Sequence, residues 1–202
     1  ATSRNVLAVI PGTEYPEESI ALTAHYDSVP VGKGAHDNAS GAAALMHIYR
    51  HFLKNPPKRT LRFIWCGAEE GGLFGSQAYI KRNKALLPQI RLCFNFDMCG
   101  TTLGENHISV TGGEALKHFT EQFCREVGRS SVVRVRVQSS DSAVFADHGV
   151  PAIAISRYAD SADYHVHSDV LFPLGAEQLY RDAEFAVRYI ARVANAIVLP
   201  LD

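Results

Sequence analysis

Short apolar, β-branched runs alternate along this chain with amphipathic helical patterns. That alternation directs it to an α/β fold with a mixed, mostly parallel sheet. Strands are expected near Asn5–Ile10, Ile20–Ala24, Leu61–Cys66, Ile90–Phe96, His107–Val110, Val132–Val137 and Ala152–Ser156. Three helices stand out between them. Ala39–Lys54 carries Ala43, Met46, Ile48, Tyr49 and Phe52 at helical spacing and stops at Asn55-Pro56-Pro57. Glu114–Val127 repeats Phe119, Phe123 and Val127 every fourth position. Gly175 to about Val198 aligns Ala183, Val187, Ile190, Ala194 and Ile197 on one stripe, which should pack on the sheet. Shorter helices are expected at Ser76–Leu87 and Ser142–His148.

With 202 residues, 47% of them hydrophobic, the chain can build one full core. No repeat or linker divides it, so residues 1–202 are read as a single domain. Twenty Lys and Arg against 21 Asp and Glu leave a formal charge of -1, which provides no field for nucleic acid or an anionic membrane. The apolar runs fall far short of the ~20 residues a membrane-spanning helix needs. Ala1–Asn5 lacks a basic segment followed by an apolar one, though a trimmed chain would look the same, so location stays open. The four cysteines, Cys66, Cys93, Cys99 and Cys124, form no CxxC pair and read as buried free thiols.

Chemistry concentrates just beyond the expected strands. His25 and Asp27 follow Ile20–Ala24, Glu69 and Glu70 follow Leu61–Cys66, Asp97 ends Ile90–Phe96, and His165 lies after Ala152–Ser156. In open α/β sheets, ligand sites lie beyond the carboxyl ends of strands, so separate segments deliver imidazole and carboxylate groups to one edge. Asp37 can join them from the loop before the helix at Ala39. Two histidines with carboxylates in excess make an inventory that suits zinc. An aspartate with two oxygens can bridge two ions. On an extended segment Glu69 and Glu70 would point opposite ways, one toward metal and one toward water. Asp27, two residues beyond His25, could accept the other ring N–H of that imidazole.

Five segments in order resemble the zinc aminopeptidases of peptidase family M28: Ala24-His25-Tyr26-Asp27-Ser28, Gly34-Ala35-His36-Asp37-Asn38-Ala39-Ser40-Gly41, Gly67-Ala68-Glu69-Glu70-Gly71-Gly72-Leu73-Phe74-Gly75-Ser76, Asn95-Phe96-Asp97-Met98-Cys99-Gly100, and His165 with Asp169. The resemblance spans nearly the whole chain. It implies a three-layer αβα sandwich and a dinuclear zinc site, with His25 and Asp97 on one ion, Glu70 and His165 on the other, and Asp37 bridging. It implies Glu69 as general base, Asp27 as partner of His25, Tyr164 as a hydrogen-bond donor to the oxyanion, and peptide substrates with a free N-terminus. The Ser140-Asp141-Ser142 and Gly149-Val150-Pro151-Ala152 segments resemble a later part of the family's sequence near the site. Some relatives have a cis peptide after the bridging aspartate, which here would be Asp37-Asn38. The family leans toward secreted or periplasmic settings. Oligomeric state is not legible.

Other readings remain beside this one. A glutaminyl cyclase resembles the same scaffold but uses one zinc; the Glu69–Ser76 segment and the single tryptophan, Trp65, favour a peptidase. A non-catalytic domain on the same scaffold would not require the general base. His47 and His51 stand four apart but lack the Glu of an HExxH motif, so they read as surface helix residues. His36 and His167 neighbour proposed ligands without matching them. Lys54, Lys58, Arg59 and Arg62 read as a solvated turn, and Arg134 with Arg136 as solvated strand positions. Arg157 is the one candidate clamp for a substrate carboxylate, and pocket walls are expected from the loops Thr101–Asn106 and Arg157–Asp163.

Overall fold

The computed structural model of the protein describes residues 2–158, 165–172, 174–199 and 201. Seven strands are found among them: β1 (Val6–Ile10), β2 (Tyr15–His25), β3 (Arg59–Cys66), β4 (Ile90–Phe96), β5 (Glu105–Thr111), β6 (Val132–Val135) and β7 (Ala152–Tyr158). They form one sheet in the order β1-β3-β2-β4-β7-β5-β6. The pairs β3/β2, β2/β4, β4/β7 and β5/β6 are parallel, whereas β1/β3 and β5/β7 are antiparallel.

The central strands are buried on both faces, as parallel sheets covered by helices must be. Ile20, Leu22 and Ala24 of β2 pack into one core cluster and Ala21 into the other. The first cluster is closed by α1 (Gly41–Lys54), α3 (Glu114–Glu126) and α5 (Ala176–Ala194) through Leu45, Ile48, Phe52, Leu116, Phe123 and Tyr189. The second is closed by α2 (Phe74–Arg82) and α4 (Asp141–Ala146) through Tyr79, Ile80, Val144 and Phe145. The result is a three-layer αβα sandwich. Each fully buried large apolar side chain contributes roughly 1.5–3 kcal/mol, so the sheet is held from both sides. Tyr189 of α5 illustrates the fit: its ring meets Phe94 and Phe123 edge-on, and its hydroxyl is 2.7 Å from that of Thr120.

Several sequence expectations are corrected. The stripe of α5 stops at Ala194, and Ile197 beyond it is 82% exposed. In α1 the inward face is Ala44, Leu45, Ile48 and Phe52, with Ala43 and Met46 facing out. The helix expected at Ser76–Leu87 breaks at Asn83 into α2 and a short 3₁₀ segment, Lys84–Gln89, and Pro88 within that segment prevents a return to an α-helical ladder. Arg59 is not solvated. It is buried, paired with Glu18 at 2.7 Å and lying over the Tyr15 ring. Aliphatic stems and a paired guanidinium allow an arginine to line a core edge.

Topology positions the site. From β2 the chain crosses to β3 on one side, and β4 lies on the other, so strand order reverses at β2. A crevice opens beyond the carboxyl ends of strands at such a point. His25 is the last residue of β2, and Asp97 follows β4 directly.

Candidate metal centre

Asp37 lies in a wide helical turn, Ala35–Ser40, where Asp37 and Asn38 leave helical dihedrals and the peptide bond between them is cis. The turn is pinned from several directions. Asp169 accepts hydrogen bonds from the backbone N–H of His36 at 2.7 Å and of Asp37 at 3.1 Å. Asn38 donates to the Phe96 carbonyl and accepts from the N–H of Gly41 and Met98. Gly41 is required by this close approach, since a Cβ there would stand 2.3 Å from the Phe96 carbonyl oxygen. The end of β4 and the start of α1 are thereby locked together, which orients Asp37 and Asp97 at once.

The two oxygens of Asp37 face different imidazoles. Oδ1 is 3.1 Å from Nε2 of His25, and Oδ2 is 3.1 Å from Nε2 of His165. Asp97 Oδ1 is 3.4 Å from the same His25 nitrogen, and Glu70 Oε2 is 2.8 Å from that of His165. Two sets of converging ligand atoms result, His25/Asp37/Asp97 and Asp37/Glu70/His165, with Asp37 shared. A third set, His25/Glu69/Glu70, overlaps them.

Each of these sets could hold a metal ion. Glu70 Oε1 and Asp97 Oδ1 are buried with no hydrogen-bond partner among the described residues, and orphaned buried carboxylate oxygens are costly unless a cation compensates them. Burial opposes a charge on His25, yet the surrounding Asp27, Asp37 and Asp97 carboxylates outweigh it and push its pKa well above the usual imidazole range. Burial also pushes Glu69 up to about 8, with further upward pressure from Asp97 and Glu70. So much negative charge around two imidazoles is the electrostatic setting in which divalent ions bind.

Asp27 differs from the sequence expectation in one respect. Its backbone carbonyl, at 3.1 Å, rather than its carboxylate, at 3.7 Å, is nearest His25 Nδ1. The carboxylate instead accepts the N–H of Glu69 at 3.0 Å and of Glu70 at 3.2 Å. Burial raises its pKa, but the His25 contact and these N–H bonds win and hold it below the ordinary range. Glu69 and Glu70 are not on an extended strand. They sit in a turn after Ala68, whose φ is 58°, and both line the same cleft. Tyr164 lies outside the described residues.

The cleft holds about 590 Å³. Beyond the cluster its walls are Leu73, Met98, Val137 and Tyr158, with Arg136 among them. Arg136 is the functional candidate that sequence reading missed. Residues 101–106, expected to shape the pocket, do not line it. Arg157, expected as a clamp, spends its guanidinium on the carbonyls of Thr101 and Thr102 and on Asn106. A second cleft of about 440 Å³, bordered by Arg129, Arg181 and Arg188, contains none of the ligand sets. His36 is turned to the Arg157 carbonyl, and His47 pairs with Glu184 at 2.8 Å, so neither joins the cluster.

The chain is 31% identical over 156 residues to aminopeptidase YwaD of Bacillus subtilis (strain 168), which covers 74% of this chain and 34% of that protein. Its fold superposes on the aminopeptidase from Aneurinibacillus sp. strain AM-1 with a TM-score of 0.87 and 24% identity, over 98% of this chain and 50% of that one. It also superposes on BSAP, a zinc aminopeptidase from Bacillus subtilis, with a TM-score of 0.84 and 24% identity, over 98% and 52%. The chain thus spans about a third of the curated relative and half of these solved chains. The model of peptidase family M28 matches residues 5–189, and on that match the chain belongs to peptidase family M28.

Proposed function

We propose that the chain is a single catalytic domain of a zinc aminopeptidase that uses two ions to hydrolyse the first peptide bond of substrates with a free N-terminus. The observation that carries this reading is the split of the Asp37 carboxylate between the His25/Asp97 set and the His165/Glu70 set. Nitrogen and oxygen donors of this kind suit zinc, and the similarity to a zinc aminopeptidase of Bacillus subtilis points the same way.

His25, Asp37 and Asp97 would hold one ion, and Asp37, Glu70 and His165 the other. Ions bound there supply Lewis-acid polarisation of the scissile carbonyl and activation of water. Glu69 reaches the same cleft without being needed for either set. It takes the proton of the attacking water and returns one to the leaving amine, the task of a general base that becomes a general acid. Asp27 clamps the backbone of both glutamates, so a single carboxylate fixes the base and a ligand relative to each other. The α-amine of the substrate is read by Glu69 and Asp97, which confines cleavage to the N-terminal residue.

The test is elemental analysis of metal per chain, with release of aminoacyl p-nitroanilides assayed before and after chelation. About two zinc ions per chain with chelator-sensitive release is the expected result for a two-metal hydrolase. A single ion without release would turn the reading to a glutaminyl cyclase. No metal after zinc loading would sink catalysis altogether.

A further inference from the structure

Among the described residues that line the cleft, the charged groups besides the imidazoles of His25 and His165 are the carboxylates of Asp37, Glu69, Glu70 and Asp97, and the guanidinium of Arg136. The four carboxylates are formally cancelled by two divalent ions, which leaves Arg136 as the uncompensated charge. It is exposed, yet anchored. From the end of β6 its side chain reaches back over the sheet, Nε donating to Ser109 Oγ at 2.9 Å and Nη2 to the Tyr158 hydroxyl at 3.4 Å. Tyr158 is itself fixed by stacking on His107, with ring centroids 4.3 Å apart and planes 3° from parallel. Two neutral hydroxyls orient the guanidinium, and it pairs with no carboxylate among the described residues. A planar guanidinium with free N–H groups is suited to grip a carboxylate with two parallel hydrogen bonds. Leu73, Met98 and Val137 supply apolar wall in the same cleft.

We propose that Arg136, oriented by Ser109 and Tyr158, forms a carboxylate-binding subsite of this cleft, so that substrates carrying a second, non-scissile carboxylate are preferred. This rests on the peptidase reading above. The carboxylate belongs either to an acidic N-terminal side chain or to the C-terminus of a short peptide.

The experiment compares kcat/KM on two substrate pairs with zinc-loaded protein: glutamyl against glutaminyl p-nitroanilide, and Leu-Gly against its C-terminal amide. The expected result is a preference of about tenfold or more for the carboxylate member of one pair. The pair that responds identifies the source of the carboxylate. The ratio should fall to near one in R136Q, recover partly in R136K, and persist in R134Q, which alters an exposed arginine of β6 two residues away. No preference in either pair, or a preference that survives R136Q, overturns the subsite. Absence of turnover even on leucyl p-nitroanilide would instead overturn the peptidase reading. The subsite is then judged by titrating succinate against succinamide while following arginine Nε–H resonances by NMR. A succinate-specific shift of the signal missing in R136Q supports it, and no shift overturns it.

Discussion

Glu69 shows how one side chain acquires a role from its surroundings. It is half-buried beside His25, Asp97 and Glu70, and the proposed assignment leaves it off both ions because Asp37 is shared by the His25/Asp97 and Glu70/His165 sets. Replacing it with Gln keeps the shape and removes the base of the proposed mechanism. E69Q is expected to lower kcat by about 10²–10⁴-fold, the usual contribution of a positioned acid–base group, while metal content by elemental analysis stays that of the wild type. A scaffold protein would show no such loss. Asp141, by contrast, is fully buried at the start of α4, with only the Ser76 hydroxyl and the Cys66 thiol beside its carboxylate to offset that burial. Burial pushes it up to about 6 from an ordinary value of 3.8. The folded chain therefore holds this proton more tightly than the unfolded chain. Stability from the group is full below about pH 4 and is lost as pH rises toward 6. Relative to D141N, the metal-free wild type should lose roughly 1–3 kcal/mol over that window, read by urea denaturation at each pH. A pH-independent difference between the two would contradict this assignment.

Among the elements, the turn Ala35–Ser40 matters most, because Asp37 is only as well placed as the backbone carrying it. Asp169, four residues after His165, accepts two N–H groups of that turn. It thus joins the segment carrying one imidazole to the segment carrying the shared carboxylate. D169A would leave both N–H groups buried without acceptors, each costing about 1–3 kcal/mol. The expected outcome is a lowered Tm together with weaker zinc binding by calorimetry; a lowered Tm with unchanged zinc affinity would limit Asp169 to a purely structural part. The strands serve the site differently. β2, β3, β4 and β7 run parallel and end on the same edge, so four segments far apart in sequence arrive together without long loops. β5 and β6 run against them, and that reversal lets the long side chain of Arg136 return from the far end of β6 to Tyr158.

At the scale of the whole molecule, the core on both faces of the sheet supports an edge crowded with like charges. Divalent ions that bind the folded cluster and not the unfolded chain raise stability in proportion to their occupancy, by about 4 kcal/mol when free metal is a thousandfold above Kd. Tm is therefore expected to rise on zinc addition and fall on chelation, measured by calorimetry; a Tm indifferent to both would oppose a metal centre here. The order of strands and helices, the burial of the cysteines, and the grouping of His25, Asp37, Glu69, Glu70, Asp97 and His165 beyond strand ends were legible in the sequence. Hydrophobic period and strand-end placement are local properties, written in consecutive residues. Which oxygen of Asp37 meets which imidazole, the diversion of the Asp27 carboxylate to two backbone N–H groups, the burial of Arg59, and the exchange of Arg157 for Arg136 in the cleft were decided only by tertiary structure. Each depends on a contact between segments dozens of residues apart, where the length of a side chain and the direction of a strand determine the partner, and no local pattern encodes either.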